Sequence, residues 1–286
     1  MSHKLERINT VEALRARIKP WRLAGETIGF VPTMGNLHGG HLELVREVKQ
    51  RADRCVASIF VNPMQFGEKE DFGSYPRTLE EDAKYLADAK VDLLFAPSVD
   101  EIYPQGDRRQ TQIVTPGLSD ILCGASRPGH FVGVATVVCK LFNMVQPDLA
   151  VFGEKDFQQL LVIRRMVDEL AIPVKVIGVA TVREADGLAK SSRNSYLTPA
   201  ERLSAPLLYQ SLRRMKDKIL AGADDYLTVE AEGRKFLENA GFKVDYLTVR
   251  RSVDLGLPRQ GGENLVILAA AHLGRTRLID NLAVRE

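Results

Sequence analysis

Short β-rich runs alternate with helical runs from residue 27 to residue 182, and this alternation restricts the fold more than any other feature of the chain. Such alternation favours repeated βαβ units, in which parallel strands share one sheet and helices cover both of its faces. Right-handed crossovers then bring the carboxyl ends of the strands to one edge, where ligands bind. The strand candidates are residues 27–33 (TIGFVPT), 55–62 (CVASIFVN), 91–97 (VDLLFAP), 148–153 (DLAVFG) and 174–182 (VKVIGVATV).

The segments between these strands place their apolar residues on one stripe, which is typical of helices packed against a sheet. Residues 39–53 show it best, with Leu42, Val45 and Val48 on the same face. The pattern predicts helices over residues 39–53, 78–90 and 157–170. We therefore expect an α/β fold with a Rossmann-like parallel sheet.

The alternating pattern of strands and helices ends after Val182. A polar stretch that contains Gly187 and Pro199 follows and indicates a domain boundary. Helical candidates near residues 200–240 are followed by β-rich segments, which together predict a small α+β domain. We expect a Rossmann-like domain over residues 1–181 and a smaller α+β C-terminal domain over residues 182–286. The β-rich segments are residues 243–251 and 264–280.

The composition is that of an ordinary globular protein, with 45% hydrophobic and 27% charged residues. Proteins that bind nucleic acid usually carry a strong excess of basic residues. This chain has a formal net charge of +2 and no basic stripe. The N-terminus lacks the apolar core of a signal peptide, and no later segment offers about 18 uninterrupted apolar residues. We expect a cytoplasmic protein that acts on small molecules, with no nucleic-acid or membrane partner.

The segment VPTMGNLHGGHLELV, residues 31–45, leads from the first strand candidate through a turn into the first helix. A helix start offers unpaired N–H groups and a positive dipole end to a phosphate, and Gly39 and Gly40 would let an anion approach the backbone. His38 and His41 are three residues apart, so both rings could reach one ligand. Phosphate binding is the favoured interpretation, with the imidazoles as donors to charge that develops during attack on a nucleotide. Neither common phosphate-binding glycine motif is present, which favours a nucleotide site of the histidine type. A metal site and a structural capping role remain as alternatives.

Three other segments carry polar groups at strand ends or at the proposed boundary. Lys155 follows the strand ending in residue 153 and could hold a phosphate, while the adjacent Asp156 could cap the helix or bind a ribose hydroxyl. Arg193 stands in KSSRN, residues 190–194, where a guanidinium and two hydroxyls suit a polyphosphate. A polar surface loop is the alternative for this segment. The run GEKEDFG, residues 67–73, resembles GEKDFQQL but lacks a strand-to-helix setting, so we interpret Lys69 as a solvated loop charge.

Asn62 and Gln65 follow the second strand candidate and should lie at the same sheet edge. Neutral amides there can orient a substrate carboxylate or hydroxyl without titrating. Amides in loops more often face solvent, so that alternative stays open.

His38 to His41 resemble the HxGH signature of the nucleotidyltransferase superfamily, and several longer runs in order resemble the pantothenate synthetase (pantoate:β-alanine ligase) family. These runs span essentially the whole chain. They are PTMGNLHGGH, FVNPMQF, YPRTLEED, RPGHFVGVATVV, FGEKDFQQL and VREADGLAKSSRNSYL.

The resemblance implies a homodimeric, ATP-dependent enzyme that requires Mg2+ and joins pantoate to β-alanine through a pantoyl adenylate. It implies catalytic roles for His41 and His38, contacts to substrate for Gln65, Gln159 and Asn62, and a small domain that closes over the ATP site. The implied ATP-binding residues are Met34, Gly35, Asn36, Leu37, His38, Gly39, Gly40, His41, Gly153, Glu154, Lys155, Asp156, Val182, Lys190, Ser191, Ser192 and Arg193.

The family usually has methionine where this chain has Lys190. We therefore expect the detailed geometry of the KSSRN loop, residues 190–194, to differ from that of the family. Asp82, in an acidic stretch, is the candidate metal ligand, although Mg2+ is held largely by substrate phosphates. Two other functions remain open: an adenylyltransferase acting on a phosphorylated coenzyme precursor, and a non-catalytic ATP-sensing module.

Overall fold

The computed structural model describes residues 5–67, 70, 72–259 and 264–285. These residues divide into two compact units. The first contains the described residues up to Glu154 together with Val162–Ala180, and the second contains Lys155–Leu161 together with the described residues from Thr181 onwards. The division into domains 1–181 and 182–286 stays a prediction, and it differs from the compact units in its treatment of Lys155–Leu161. Lys69 lies outside the described residues.

The first unit is built on a parallel sheet, which confirms the predicted α/β architecture. Its six described strands lie in the order β1-β4-β3-β2-β5-β6. All five strand candidates are present, and the additional strand, β1, escaped prediction because it has only three residues in a charged segment. The strands are β1 (Glu6–Ile8), β2 (Ile28–Thr33), β3 (Arg54–Ile59), β4 (Leu93–Phe95), β5 (Leu149–Gly153) and β6 (Lys175–Val179).

Helices connect these strands, and the three predicted helices correspond to α2, α3 and α7. The sequence analysis did not predict α6, in which ten of the sixteen residues are buried and only a narrow side is polar. The helices are α1 (Val11–Leu23), α2 (Gly39–Lys49), α3 (Leu79–Asp88), α4 (Val99–Ile102), α5 (Cys123–Ser126), α6 (His130–Val145) and α7 (Phe157–Glu169).

Helix α2 packs closely on the sheet and thereby fixes the position of its own first turn. Val45 and Val48 are buried in a cluster with residues of β2, β3 and β5. A side chain at Gly29 of β2 would overlap Val48, so the glycine allows the helix to approach the strand. Full burial of each valine contributes about 1.5–3 kcal/mol. The packing holds the start of α2 beyond the carboxyl end of β2.

The second unit confirms the predicted α+β character, with helices beside an antiparallel sheet of order β7-β8-β9. The segment 264–280, predicted only as β-rich, folds as a hairpin with Gly274 at a φ of 56° in the turn. Leu212, Leu237 and Ile267 contribute to the buried core of this unit. Its elements are α8 (Pro199–Ser204), α9 (Leu207–Leu220), α10 (Tyr226–Asn239), β7 (Phe242–Arg251), β8 (Leu265–Leu273) and β9 (Thr276–Ala283). None of the helices in the described part of the chain combines the length and the hydropathy needed to cross a membrane.

Candidate functional site

The first turn of α2 is capped by two histidines that bind each other's backbone. His38 is the N-cap, and its Nδ1 accepts a hydrogen bond from the Gly40 N–H at 3.1 Å. The His38 N–H in turn donates to Nδ1 of His41 at 3.2 Å. The ring centroids lie 4.1 Å apart, and a side chain at Gly40 would come within 2.8 Å of the His38 ring. A side chain at position 40 would therefore displace the His38 ring from this arrangement.

This capping arrangement determines the tautomer of both neutral rings. A backbone N–H can only donate, so the Nδ1 atoms of His38 and His41 must present lone pairs. The hydrogen of each neutral ring is then at Nε2. The structural capping role weighed from the sequence is present, and it orients two Nε2–H donors that suit a phosphate oxygen.

The loop before these histidines is bound to a buried carboxylate from α3. Asp82, 1% exposed, accepts hydrogen bonds from the N–H groups of Asn36 at 2.9 Å and Leu37 at 2.7 Å. Gly35 and Asn36 have positive φ values of 81° and 51°, so the chain makes a tight left-handed turn here. The Thr78 hydroxyl also donates to Asp82, at 3.1 Å. The carboxylate thus holds the turn that leads into His38.

Asn62 and Gln65 are buried, unlike the solvent-facing amides weighed as an alternative. The Asn62 amide nitrogen donates to Oε1 of Gln65 at 3.2 Å and to the Gly133 carbonyl at 3.0 Å. The Gln65 amide nitrogen lies 2.8 Å from the sulfur of Met34. The Tyr103 hydroxyl donates to Oδ1 of Asn62 at 2.8 Å, and burial raises the pKa of Tyr103, which keeps this donor protonated.

Helix α6 supports these amides through its first turns. A side chain at Gly133 would overlap the Met64 carbonyl, so the glycine permits backbone contact between α6 and the segment containing Gln65. Nδ1 of His130 lies 2.8 Å from the Gln65 carbonyl oxygen, and Nε2 lies 3.0 Å from Arg127. A carbonyl only accepts and a guanidinium only donates, so these two contacts require a neutral His130 with its hydrogen on Nδ1.

Arg127 links the same network to Glu70 by two hydrogen bonds of 2.6 Å. Burial alone would raise the pKa of the Glu70 carboxyl, but the hydrogen bonds and charge of Arg127 outweigh it and hold the pKa below its usual value. Glu70 therefore stays ionised and keeps Arg127 turned towards His130.

Two side chains of β9 bind segments of the second unit that contain or adjoin candidate residues. The Asn281 side chain donates to the Lys155 carbonyl at 2.9 Å, which fixes the turn containing Lys155 and Asp156. Asp280, 4% exposed, makes two hydrogen bonds of 2.7 and 2.9 Å to Arg183. The Arg183 guanidinium also lies 3.6 Å from the ring centroid of Tyr209. Asp280 and Asn281, which are adjacent in β9, therefore hold the segment containing Arg183 and the turn containing Lys155.

The KSSRN segment is ordered by short-range hydrogen bonds. The Lys190 N–H donates to the Val182 carbonyl at 2.9 Å, and Oγ of Ser191 accepts from the Arg193 N–H at 3.3 Å. Ser191 thereby caps the 3-10 turn Ser192–Tyr196. The Lys190 ammonium lies 3.5 Å from Glu184, and both side chains are partly exposed. Gln159, in the first turn of α7, is half-buried.

The structure groups the candidates within each unit, and the roles proposed for them from the sequence stay predictions. In the first unit, Met34 to His41 lie together with Asn62 and Gln65, while Gly153 and Glu154 follow at the end of β5. Sequence reasoning missed several supporting residues. Arg127, His130 and Gly133 stand in a run that was recognised without a role. No local signal pointed to Tyr103, Asp280 or Asn281.

Comparison with known proteins adds relatives that span nearly the whole chain. The family model described as pantoate-beta-alanine ligase matches residues 6–283. Pantothenate synthetase from Pseudomonas aeruginosa is 57% identical over 277 residues, which cover 97% of this chain and 98% of that protein. Pantothenate synthetase from Shewanella woodyi is 54% identical over 272 residues, covering 95% and 96% respectively.

Solved structures agree with these relatives. Pantothenate synthetase from Thermus thermophilus superposes with a TM-score of 0.92 at 46% identity, covering 99% of this chain and 100% of that chain. Pantoate-beta-alanine ligase from Francisella tularensis, complexed with beta-gamma ATP and beta-alanine, superposes with a TM-score of 0.81 at 34% identity, covering 98% of each chain.

Proposed function

The chain belongs to the pantoate-β-alanine ligase family, and from this premise we propose that it condenses pantoate with β-alanine in two ATP-dependent steps. In the first, a carboxylate oxygen of pantoate attacks the α-phosphorus of ATP and pyrophosphate leaves. In the second, the β-alanine amine attacks the carbonyl carbon of pantoyl adenylate, loses a proton and displaces AMP. The products are pantothenate, pyrophosphate and AMP. The near full-length family match is the observation that carries this proposal.

The chemistry requires positioning and charge stabilisation more than a protein nucleophile, because the pantoate carboxylate is already a competent attacking group. We assign His41 and His38 to the phosphates of ATP. Their Nδ1 atoms are occupied by backbone N–H groups, so the Nε2–H groups are oriented donors for charge that develops on phosphate oxygens. Met34 to Leu37 and Gly39 to Gly40 complete this part of the ATP site in the proposal.

The buried amides are the proposed contacts to the organic substrates. Gln65 is assigned to pantoate and β-alanine, and its support by Asn62, Met34 and His130 favours a single side-chain and backbone orientation. The Asn62 amide already makes hydrogen bonds to Gln65, Gly133 and Tyr103. We therefore expect Asn62 to contribute less to substrate binding than Gln65 does. Gln159 is assigned to pantoate.

Segments of the second unit supply the remaining proposed contacts to ATP. Arg193 suits the polyphosphate because a guanidinium donates two parallel hydrogen bonds, whereas Lys155 acts as a point charge. Asp156 is assigned to the ribose. The other proposed members are Gly153, Glu154, Val182, Lys190, Ser191 and Ser192.

An ATP-dependent ligase of this family requires a divalent metal ion with its nucleotide, and we propose Mg2+. No group of three or more His, Cys, Asp or Glu side chains suited to a metal occurs within the described ranges. Both oxygens of Asp82 already accept backbone N–H groups. These observations favour an ion carried mainly by the phosphates of ATP.

We also propose that the enzyme is a cytoplasmic homodimer, following the family resemblance. Light scattering coupled to size-exclusion chromatography should give twice the mass of the 31.8 kDa chain. A mass equal to one chain at micromolar concentration would contradict the dimer. Cell fractionation tests the location.

Substrate-dependent exchange between ATP and pyrophosphate tests the reaction itself. Pantoate alone should support exchange, because the adenylate forms before the amine reacts. An absolute requirement for β-alanine would contradict the two-step order. Exchange that needs a phosphorylated coenzyme precursor would instead support an adenylyltransferase, and binding of ATP without any exchange would support a sensor.

A further inference from the structure

We propose that Asp82 is a positioning residue for adenylation, acting by holding the Gly35–Leu37 turn so that His38 and His41 are correctly placed. The residue comes from α3, and its carboxylate is buried against a loop 45 and 46 positions earlier in the chain. Each oxygen of the carboxylate accepts one backbone N–H of that loop. The inference rests on the proposed function only in assigning His38 and His41 to adenylation.

The turn needs an external support because its conformation is costly. Asn36 has a φ of 51°, and a left-handed conformation is unfavourable for residues other than glycine, although asparagine tolerates it better than most. Gly35 has a φ of 81°, and a side chain there would come within 3.0 Å of Oδ2 of Asp82. The N–H groups of Asn36 and Leu37 point into the protein and require acceptors. Asp82 supplies both acceptors at once.

Only a carboxylate in this position can accept from both N–H groups. An amide of the same shape has one acceptor oxygen and one NH2 group, and the NH2 group would face a backbone donor. Asp82→Asn should therefore release one side of the turn while preserving volume. The Thr78 hydroxyl donates to Oδ2 of Asp82 and acts on the loop only through this carboxylate. Removal of the hydroxyl should therefore lower the adenylation rate as well, but by less than Asp82→Asn does.

These contacts also separate a positioning role from the metal role considered for Asp82. A magnesium ligand must direct an oxygen lone pair at the ion, whereas hydrogen bonds from Asn36, Leu37 and Thr78 already occupy three of the about four lone-pair sites of this buried carboxylate. Loss of a metal ligand would raise the Mg2+ concentration needed for half-maximal activity. Loss of a loop support would lower the rate at every Mg2+ concentration.

The test compares Asp82→Asn with Thr78→Val and with a control, Glu80→Gln, in the full chain. Glu80 lies on the same turn of α3 but is exposed and paired with Arg7. Pantoate-dependent ATP–pyrophosphate exchange should fall on the order of tenfold to a hundredfold in Asp82→Asn, since displacement of a catalytic group by about 1 Å can cost a hundredfold. We expect about threefold for Thr78→Val and no change for Glu80→Gln. The Mg2+ concentration for half-maximal exchange should stay within about twofold of the parent value.

A second readout does not depend on activity. In 1H–15N NMR spectra, the amide protons of Asn36 and Leu37 should shift upfield and exchange faster in Asp82→Asn, with lesser changes in Thr78→Val. These shifts test the loop support even if the parent supports no exchange, which would count against the proposed function alone. Normal exchange kinetics in folded Asp82→Asn, or an altered Mg2+ requirement with unchanged loop amides, would overturn the inference. If Asp82→Asn does not fold, the exchange rate and the Asn36 and Leu37 amide signals are measured in Thr78→Val instead. Values equal to those of the parent in both measurements would overturn the inference.

Discussion

The two compact units hold their candidate residues by different means. In the first unit the candidate side chains themselves are hydrogen-bonded, as with the ring nitrogens of His38 and His41 and the amide of Asn62. In the second unit several contacts instead fix the backbone of a candidate segment, as with the Asn281 side chain bound to the Lys155 carbonyl and the Ser191 hydroxyl bound to the Arg193 N–H. A side chain oriented before the substrate binds contributes mainly to the rate, whereas a side chain on an ordered backbone can still turn to its ligand.

The contrast leads to an expectation for variants. Changes to His38 and His41 of the first unit should lower the rate of adenylation with little change in ATP binding. Changes to candidate residues of the second unit should weaken binding of a substrate.

The largest expected effect belongs to Arg193 in the second unit. Arg193→Ala should weaken ATP binding by about 2–5 kcal/mol, because a desolvated phosphate loses a charge-assisted, fork-shaped partner. Titration calorimetry with ATP measures this directly. A purely catalytic defect with unchanged ATP affinity would contradict the contrast between the units.

Lys190→Met is the matched control for Arg193→Ala. The partly exposed pair of Lys190 with Glu184 is worth about 0–1 kcal/mol, so the change should alter the ATP Michaelis constant by no more than about fivefold. Damage equal to that of Arg193→Ala would make Lys190 a principal phosphate ligand.

His41→Ala should lower the adenylation rate by about a hundredfold or more, the usual cost of losing one donor to a developing oxyanion. The variant also removes the acceptor of the His38 N–H, so both effects fall on the rate. Single-turnover measurements at saturating ATP and pantoate check it, with His272→Gln, in the other unit, as the control. A rate within about threefold of the parent would leave His41 with the capping role alone.

Gln159→Ala should weaken pantoate binding by about tenfold, the scale of one lost hydrogen bond, and leave ATP binding unchanged. Calorimetric titrations with each ligand separate the two. Gln210→Ala, at an exposed position on α9, is the control. Equal loss for both ligands would indicate a folding defect or a misassigned residue.

The smallest expected effect concerns stability and pH. The lowered pKa of Glu70 means that its pairing with Arg127 stabilises the fold fully above the unfolded pKa, about 4.3, and that this contribution is lost as the pH falls through the lower folded value. Glu70→Gln should cost about 1 kcal/mol of unfolding free energy at pH 7, since the pair is partly exposed.

Denaturant titrations of Glu70→Gln and the parent check this pH dependence. The difference in unfolding free energy should shrink on acidification below about pH 4, where Glu70 becomes protonated in the parent. A difference that stays constant from pH 7 to pH 3 would show that ionised Glu70 does not stabilise the fold through Arg127.

Prediction from the sequence succeeded where the pattern was local and strong. The strands of the parallel sheet read as apolar runs bounded by turn residues, and the α2 stripe of Val45 and Val48 faces the sheet as expected. It failed for β1, which is too short to show a pattern, and for α6, which is mostly buried and has only a narrow polar side.

Within the candidate site, the spacing of His38 and His41 predicted that both rings share one face, and the structure adds that Nδ1 of each ring accepts a hydrogen bond from a backbone N–H. No pattern around Asp82 indicates that it binds a loop 45 and 46 residues earlier. Its position in an acidic stretch instead suggested a metal ligand, because a single sequence shows charge but does not show what the charge faces.

The sequence by itself determined the α/β and α+β character of the two parts and the family, because hydrophobic periodicity and ordered motifs are properties of neighbouring residues. Only the tertiary structure decided which side chains support the candidate residues. Asp82, His130 and Asn281 act on segments distant in the chain, and such partners are chosen when packing leaves a buried N–H or carbonyl that must be satisfied.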